Sequence, residues 1–169
     1  FLLFGGKGYA IFAILFGFTF SLMYAKQQRL GKDFGNRFLW RMLLLACFAF
    51  INGLFFPGEV LLMYAIVGVI LFIVRKWSNK ALLIAACILL LQPIEWMHYI
   101  MYLFDNSYTV PFTNMKSYWG FIKAGQLSDS FFDLIKSNTL YGHKVALLWA
   151  YGVGRLLQTA GLFILGYWL

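Results

Sequence analysis

FLWRMLLLACFAFINGLFF, residues 38–56, runs into the turn Pro57-Gly58-Glu59 and on into VLLMYAIVGVILFIV, residues 60–74, before Arg75 and Lys76 close it. A membrane-spanning helix needs about 20 mostly apolar residues, because each adds about 1.5 Å across a hydrocarbon core about 30 Å thick. Residues 38–56 meet that length. Residues 60–74 fall short, so this segment either borrows Glu59 and the turn or sits where the bilayer is thinned. The Pro-Gly turn leaves room only for a helical hairpin.

The rest of the chain extends the pattern. Residues 5–24 form a first span, with small positions at Gly5, Gly6, Gly8, Gly17 and Ser21 where another helix can approach closely. A fourth runs over 81–103 and meets Pro93, which removes a backbone donor and predicts a kink. A last apolar run, Val145 to Leu169, is interrupted by Gly152, Gly154 and Arg155. It is either one tilted helix or two helices, with the span then covering 154–169. Between the fourth span and this run, an outer loop over 104–143 is rich in aromatics, Phe112 and Trp119 among them. Asp129 to Ser137 carries an apolar stripe at Phe131, Phe132 and Ile135, the pattern of an amphipathic helix lying in the membrane interface. The long runs do not alternate as barrel strands would. The fold class expected is all-α: a polytopic transmembrane bundle of about five spans plus one interfacial helix, forming a single domain over residues 1–169.

Composition agrees. Of 169 residues, 62% are hydrophobic and 12% charged, against about half and about a quarter in soluble domains. The start at Phe1 and the end at Leu169, inside an apolar run, suggest a piece of a longer protein. The net charge of +8 would suggest nucleic acid in a soluble chain. Here the cations cluster in short connections, and no nucleic-acid motif is present. Lys26, Arg29, Lys32 and Arg37, with Arg41 just inside the next helix, face one acid, Asp33; Arg75, Lys76 and Lys80 face none. Both connections are therefore expected on the cytoplasmic side of a bacterial inner membrane, crossed several times. Pro57-Gly58, the long loop and Phe1 would lie outside. Cys47 and Cys87, inside apolar runs and without a CxxC, read as buried reduced thiols.

Ionisable groups at membrane depth are costly and mark candidate sites. Arg37 and Arg41, four apart, share one helix face. They either reach back to lipid headgroups or hold an anionic substrate such as coenzyme A. Glu59 is either a solvated turn carboxylate favoured by a helix N-terminus or a general base at the outer mouth of the protein. Glu95 and His98 form an E-x-x-H pair, either structural or a proton relay. One such pair is too little for a di-iron site. His143 reads as an interface residue. Arg155 needs a carboxylate or a wet cavity if the last run is one span, and serves as an anchor if the helix breaks.

Several of these residues carry a family resemblance. Lys7, Ile14-Leu15-Phe16-Gly17-Phe18, Arg37 to Arg41, Gly58-Glu59-Val60-Leu61, Tyr64-Ala65, Gly68, and late in the chain Gly161-Leu162-Phe163 with Leu165-Gly166, resemble the DUF418 family of bacterial membrane proteins, the YeiB-like group. That family has an acid, usually Asp, after the hairpin Gly and a Tyr-Ala five to six residues on; Glu59, Tyr64 and Ala65 stand there. It often has a His near the end of the second span, where this chain has Asn52. The resemblance implies a relationship to membrane acyltransferases that modify extracytoplasmic sugars. On that reading an acyl-CoA donor sits near Arg37 and Arg41, and a small-molecule or glycan acceptor near Glu59, His98 and the aromatic loop, with Tyr64 and Arg155 as further binding residues. With no HExxH, Cys cluster or nucleic-acid motif in the sequence, neither a metal nor a nucleic-acid partner is expected. The alternatives are a transporter or permease with Arg155 and Glu95 lining a path, and a non-catalytic envelope assembly partner.

Overall fold

A computed structural model describes residues 7–31, 34–105, 107–109, 115–128 and 130–169, with backbone alone at Lys7, Met115 and Lys116. Gly5, Gly6, Lys32, Asp33, Phe112 and Asp129, all part of the reading above, lie outside the described residues. The protein is all-α. Its helices are α1 (Lys7–Arg29), α2 (Gly35–Phe55), α3 (Leu61–Val74), α4 (Asn79–Leu90), α5 (Pro93–Phe104), α6 (Met115–Leu127), α7 (Phe131–Ser137), α8 (His143–Gly152) and α9 (Arg155–Trp168), with a π-helical turn, Asn138–Gly142, joining α7 to α8.

Among the described residues, three helices are long and apolar enough to cross a membrane: Gly8–Arg29, Gly35–Phe55 and Asn79–Phe104, the last containing both α4 and α5. A fourth is reached if Phe131–Gly152 and Arg155–Trp168 count as one broken span. The expectation of about five is thus too high. α3 has 14 residues, about 21 Å at 1.5 Å each, well short of the core. The turn before it and the Val74 carbonyl, which accepts from Trp77 N–H at 2.9 Å, confine it at both ends.

Two breaks have plain backbone causes. Proline disfavours helical geometry in the residue before it, and Gln92 adopts φ 52°, so α4 stops at Leu90 and Pro93 opens α5. The expected kink is a full interruption of the ladder. At the other break Gly154, at φ 66°, follows Val153, and its N–H reaches the Tyr151 carbonyl at 3.0 Å. That left-handed residue costs glycine little and ends α8. The last apolar run is therefore two helices, and Arg155 is the first residue of α9.

Many large apolar side chains point outward, including Ile11 and Leu22 on α1, Phe48 and Ile51 on α2, and Ile84 and Ile88 on α4. In water such continuous surfaces would drive association; hydrocarbon removes the cost. The same solvent accounts for a correction. Cys47 and Cys87 are free, as expected, but exposed. Apolar neighbours in sequence imply a protein interior only when water is the alternative.

The chain forms two compact units. The first (Phe1–Leu43, Ile66–Pro93, Leu156–Leu169) contains α1, the start of α2, most of α3, α4 and nearly all of α9. Its centre is Phe20, fully buried, with Phe38 edge-on at 4.6 Å and Tyr167 edge-on at 5.1 Å. Phe16 stacks on Phe163 at 4.5 Å. The Tyr167 hydroxyl donates to the Arg75 carbonyl at 2.8 Å. Tyr9 and Thr159 share a hydroxyl hydrogen bond. α1 and α9 meet at glycines: a Cβ on Gly17 would strike the Phe163 carbonyl, and one on Gly166 the Ile14 carbonyl.

The second unit (Leu44–Ala65, Ile94–Arg155) holds the rest of α2, the hairpin turn, the start of α3, and α5 to α8. α6 packs on α7 and the π turn, with Phe121 stacked on Tyr141 at 4.9 Å. Asn138, fully buried, donates from Nδ2 to the Leu54 carbonyl at 2.9 Å, satisfying one of the last carbonyls of α2. Asn138→Leu should strand that carbonyl and lower stability by about 1–3 kcal/mol. Thermal unfolding in one fixed detergent checks it; an unchanged midpoint would contradict the assignment.

Candidate functional site

The hairpin between α2 and α3 builds the first site. Glu59 lies two residues before the first residue of α3, and its carboxylate folds back so that Oε1 accepts the Leu61 N–H at 2.6 Å. Asn52, in the last turn of α2, donates from Nδ2 to Oε2. Glu59 is only 7% exposed. An isolated charge is expensive to bury, so these donors and the positive end of α3 hold it there. The reading of Glu59 as a solvated turn residue therefore fails on solvation, although its place at a helix N-terminus stands.

Glu59 lines a cavity of about 260 Å³ whose other walls are mainly apolar, among them Val60, Met63, Trp119, Val145 and Trp149. Small-molecule pockets run from about 300 to 1,000 Å³, so this one accepts a small group. Tyr64 is buried on α3 and does not line it.

The sequence reading missed His143. Its ring stacks on Phe50 with centroids 4.7 Å apart and lies against the backbone of Gly53. Both ring nitrogens are buried, with no hydrogen-bond partner among the described residues. Imidazole carries one donor and one acceptor when neutral, so this ring has unused hydrogen-bonding capacity. The π turn supports that placement, since π bulges re-aim the residues that follow and recur at functional sites. No local signal could have shown it: the contact joins residues about ninety positions apart.

A second cluster lies in the first unit. Lys26 at the end of α1 and Arg37 and Arg41 on α2 line a cavity of about 190 Å³ with Met23, Gln27 and Phe34. The shared face of the two arginines thus exists. The Arg41 guanidinium turns onto the Met23 sulfur. The cavity linings of Glu59 and of the arginines share no residue.

His98 is not paired with Glu95. Its Nδ1 shares a hydrogen bond of 2.8 Å with the Tyr108 hydroxyl. Tyr108 is brought back by a turn in which Asp105 Oδ1 accepts from the Ser107 hydroxyl at 2.6 Å and from Ser107 N–H at 2.9 Å. Those bonds, the hydroxyl's first, hold the exposed Asp105 carboxyl below its usual range. The turn is intact at neutral pH and loosens as pH falls through that lowered value. His98 does not line the Glu59 cavity. Arg155 lies over the Trp149 ring at 5.9 Å, a cation–π contact. Among the described residues no three of His, Cys, Asp and Glu gather to hold a metal ion.

No family model matches the chain, and no solved structure matches it. It is 41% identical over 83 residues to an uncharacterized 39.9 kDa protein from the amylase 3′ region of Bacillus acidopullulyticus, covering 49% of this chain and 24% of that protein. It is 35% identical over 89 residues to the uncharacterized protein YxaH of Bacillus subtilis (strain 168), covering 52% of this chain and 22% of that protein. The matched stretch thus spans about a quarter of the length of these curated relatives, and half of this chain is similar to them.

Proposed function

We propose that the chain belongs to a multi-pass protein of the bacterial inner membrane, of DUF418 type, that moves a short acyl group from a cytoplasmic donor to an acceptor outside. The observation that carries this reading is the buried Glu59 carboxylate, fixed by Asn52 and Leu61 N–H at one wall of a small apolar cavity. A carboxylate shielded from water and rigidly aimed suits proton removal from a sugar hydroxyl. The cavity accommodates a small aliphatic group rather than a long chain. In this reading His143, whose ring nitrogens have no partner among the described residues, receives the proton. The Gly58-Glu59 and Tyr64-Ala65 pattern supports the family reading, and the cations of the short connections support the orientation. In this picture α7, with Phe131 and Phe132 exposed, lies in the outer interface.

The test is full-length protein in proteoliposomes, with acyl-coenzyme A labelled in the acyl group sealed inside and a saccharide outside. The expected result is label on the external saccharide. Intact donor appearing outside would instead favour transport, and no label outside would remove the enzyme.

One observation favours the transport reading. Helices interrupted at membrane depth expose backbone groups to a translocation path, and α4–α5 and α8–α9 are interrupted at Gln92 and Gly154, with Glu95 and Arg155 just beyond. Gly53→Ala separates the two. The new Cβ would displace the His143 ring and should lower acyl transfer roughly tenfold to a hundredfold, the cost of misplacing a catalytic group by about 1 Å. Transport through the broken helices should be unaffected.

A further inference from the structure

We propose that the cavity bounded by Lys26, Gln27, Arg37 and Arg41 binds a phosphate ester whose neighbouring atoms carry a hydroxyl. Orientation alone requires cations in this connection but not their convergence. Here Lys26 from α1 and two arginines from α2 border a single cavity, and among the described residues no carboxylate lines it. Between Lys26 and Arg41 the sequence has five cations and one acid, Asp33, so the region stays strongly positive whatever Asp33 contacts. Arg41 contacts the Met23 sulfur, a weak acceptor that leaves the rest of its five N–H donors for a ligand. Two arginines four residues apart offer planar forks suited to phosphate oxygens.

Gln27 narrows the ligand class. Its Oε1 is buried and has no hydrogen-bond partner among the described residues. An acceptor in that state calls for a donor, which a bare phosphate diester cannot supply and an adjacent hydroxyl can. At about 190 Å³ the cavity is smaller than a pocket for a whole nucleotide, so it takes the phosphate and its neighbour while the remainder of the ligand stays outside. Two sources share this chemistry: the phosphoglycerol headgroup of an anionic lipid, and the 3′-phosphate of coenzyme A beside its ribose hydroxyl. The inference does not need acyl transfer to be correct.

The test has two arms on the full-length protein. Native mass spectrometry from micelles of mixed phosphatidylcholine and phosphatidylglycerol counts retained anionic lipid. Calorimetric titration compares coenzyme A with dephospho-coenzyme A, which lacks the 3′-phosphate. Replacing Arg37 and Arg41 together with alanine should weaken the bound species about tenfold to a hundredfold, the range for hydrogen bonds to a charged group. Arg37→Lys with Arg41→Lys keeps the charge that orients the connection and should still weaken binding, through loss of the forks. Gln27→Leu should erase the preference for phosphatidylglycerol over phosphatidic acid and weaken coenzyme A, while the preference for coenzyme A over its dephospho form, which the arginines set, should persist. Retention of phosphatidylglycerol alone identifies a lipid site, and binding of coenzyme A alone identifies a donor site. If neither species binds, or binding ignores both arginine pairs, the proposal is overturned. A lipid-loaded protein with no transferase activity would uphold it while removing the enzyme.

Discussion

Glu59→Gln should lower acyl transfer by about 100- to 10,000-fold, the usual contribution of a general base, with little change in apparent substrate affinity. Gln matches Glu in shape and keeps an oxygen for the Leu61 N–H, so the α3 start should survive. What disappears is the capacity to take a proton. The substitution also turns an amide N–H toward Asn52, which now donates to the carboxylate; Asn52 answers by rotating its amide to present oxygen. Asn52→Leu leaves the charge but removes that donor, and should cost roughly tenfold or more. Turnover in proteoliposomes, with folding checked by size-exclusion profile, reads both. Full acyl transfer by Glu59→Gln would remove Glu59 as the base and leave the proton to another group.

The second large effect is on stability. Gly17→Ala and Gly166→Ala each place a methyl group against a backbone carbonyl of the opposite helix, that of Phe163 or of Ile14. Side chains can yield; two helix backbones held by the Phe16–Phe163 stack cannot yield without parting. Overpacking of this kind costs about 1–3 kcal/mol or more, exceeding the gain of about 0.5–1 kcal/mol that alanine brings inside a helix. Both positions belong to one crossing, so the double substitution should cost less than the sum. Gly8→Ala is the control. Nothing lies within 4 Å of its Cβ, so it should be neutral or slightly stabilising. Thermal midpoints of the four proteins in one detergent decide the matter; a neutral Gly17→Ala would mean that the helices do not cross there.

Patterns carried within a few residues were legible in the sequence. The helical class follows from runs of apolar residues too long and too uniform for strands. The Pro57-Gly58 turn, the shared face of Arg37 and Arg41, and the break near Gly154 as one of two alternatives all rest on local spacing. Gly17 stood out as a small position, but its partner Gly166 did not, because pairing between distant helices leaves no mark in either one. His143 and Asn138 were missed for the same reason: their neighbours Gly53, Phe50 and Leu54 lie far away in sequence. The E-x-x-H spacing places Glu95 and His98 on one helix face, while the partner that His98 bonds, Tyr108, comes from a turn that the spacing does not show. The count of spans was too high because α3, already short in the sequence, is too short to cross, and the last run breaks at Gly154 into helices that make one span only as a pair.

The two unpaired sulfhydryls on α2 and α4 have a practical consequence. Cys47 and Cys87 project from the outer faces of helices long enough to cross a bilayer, without a disulfide between them. A lipophilic maleimide should modify both in native membranes, while a sulfonated one that stays in water should spare them until detergent is added. Spin labels attached at the same positions should relax faster with oxygen, which dissolves in lipid, than with a nickel chelate, which does not. The protein thus already carries two immersion markers, and depth measurements on it require no engineered cysteine.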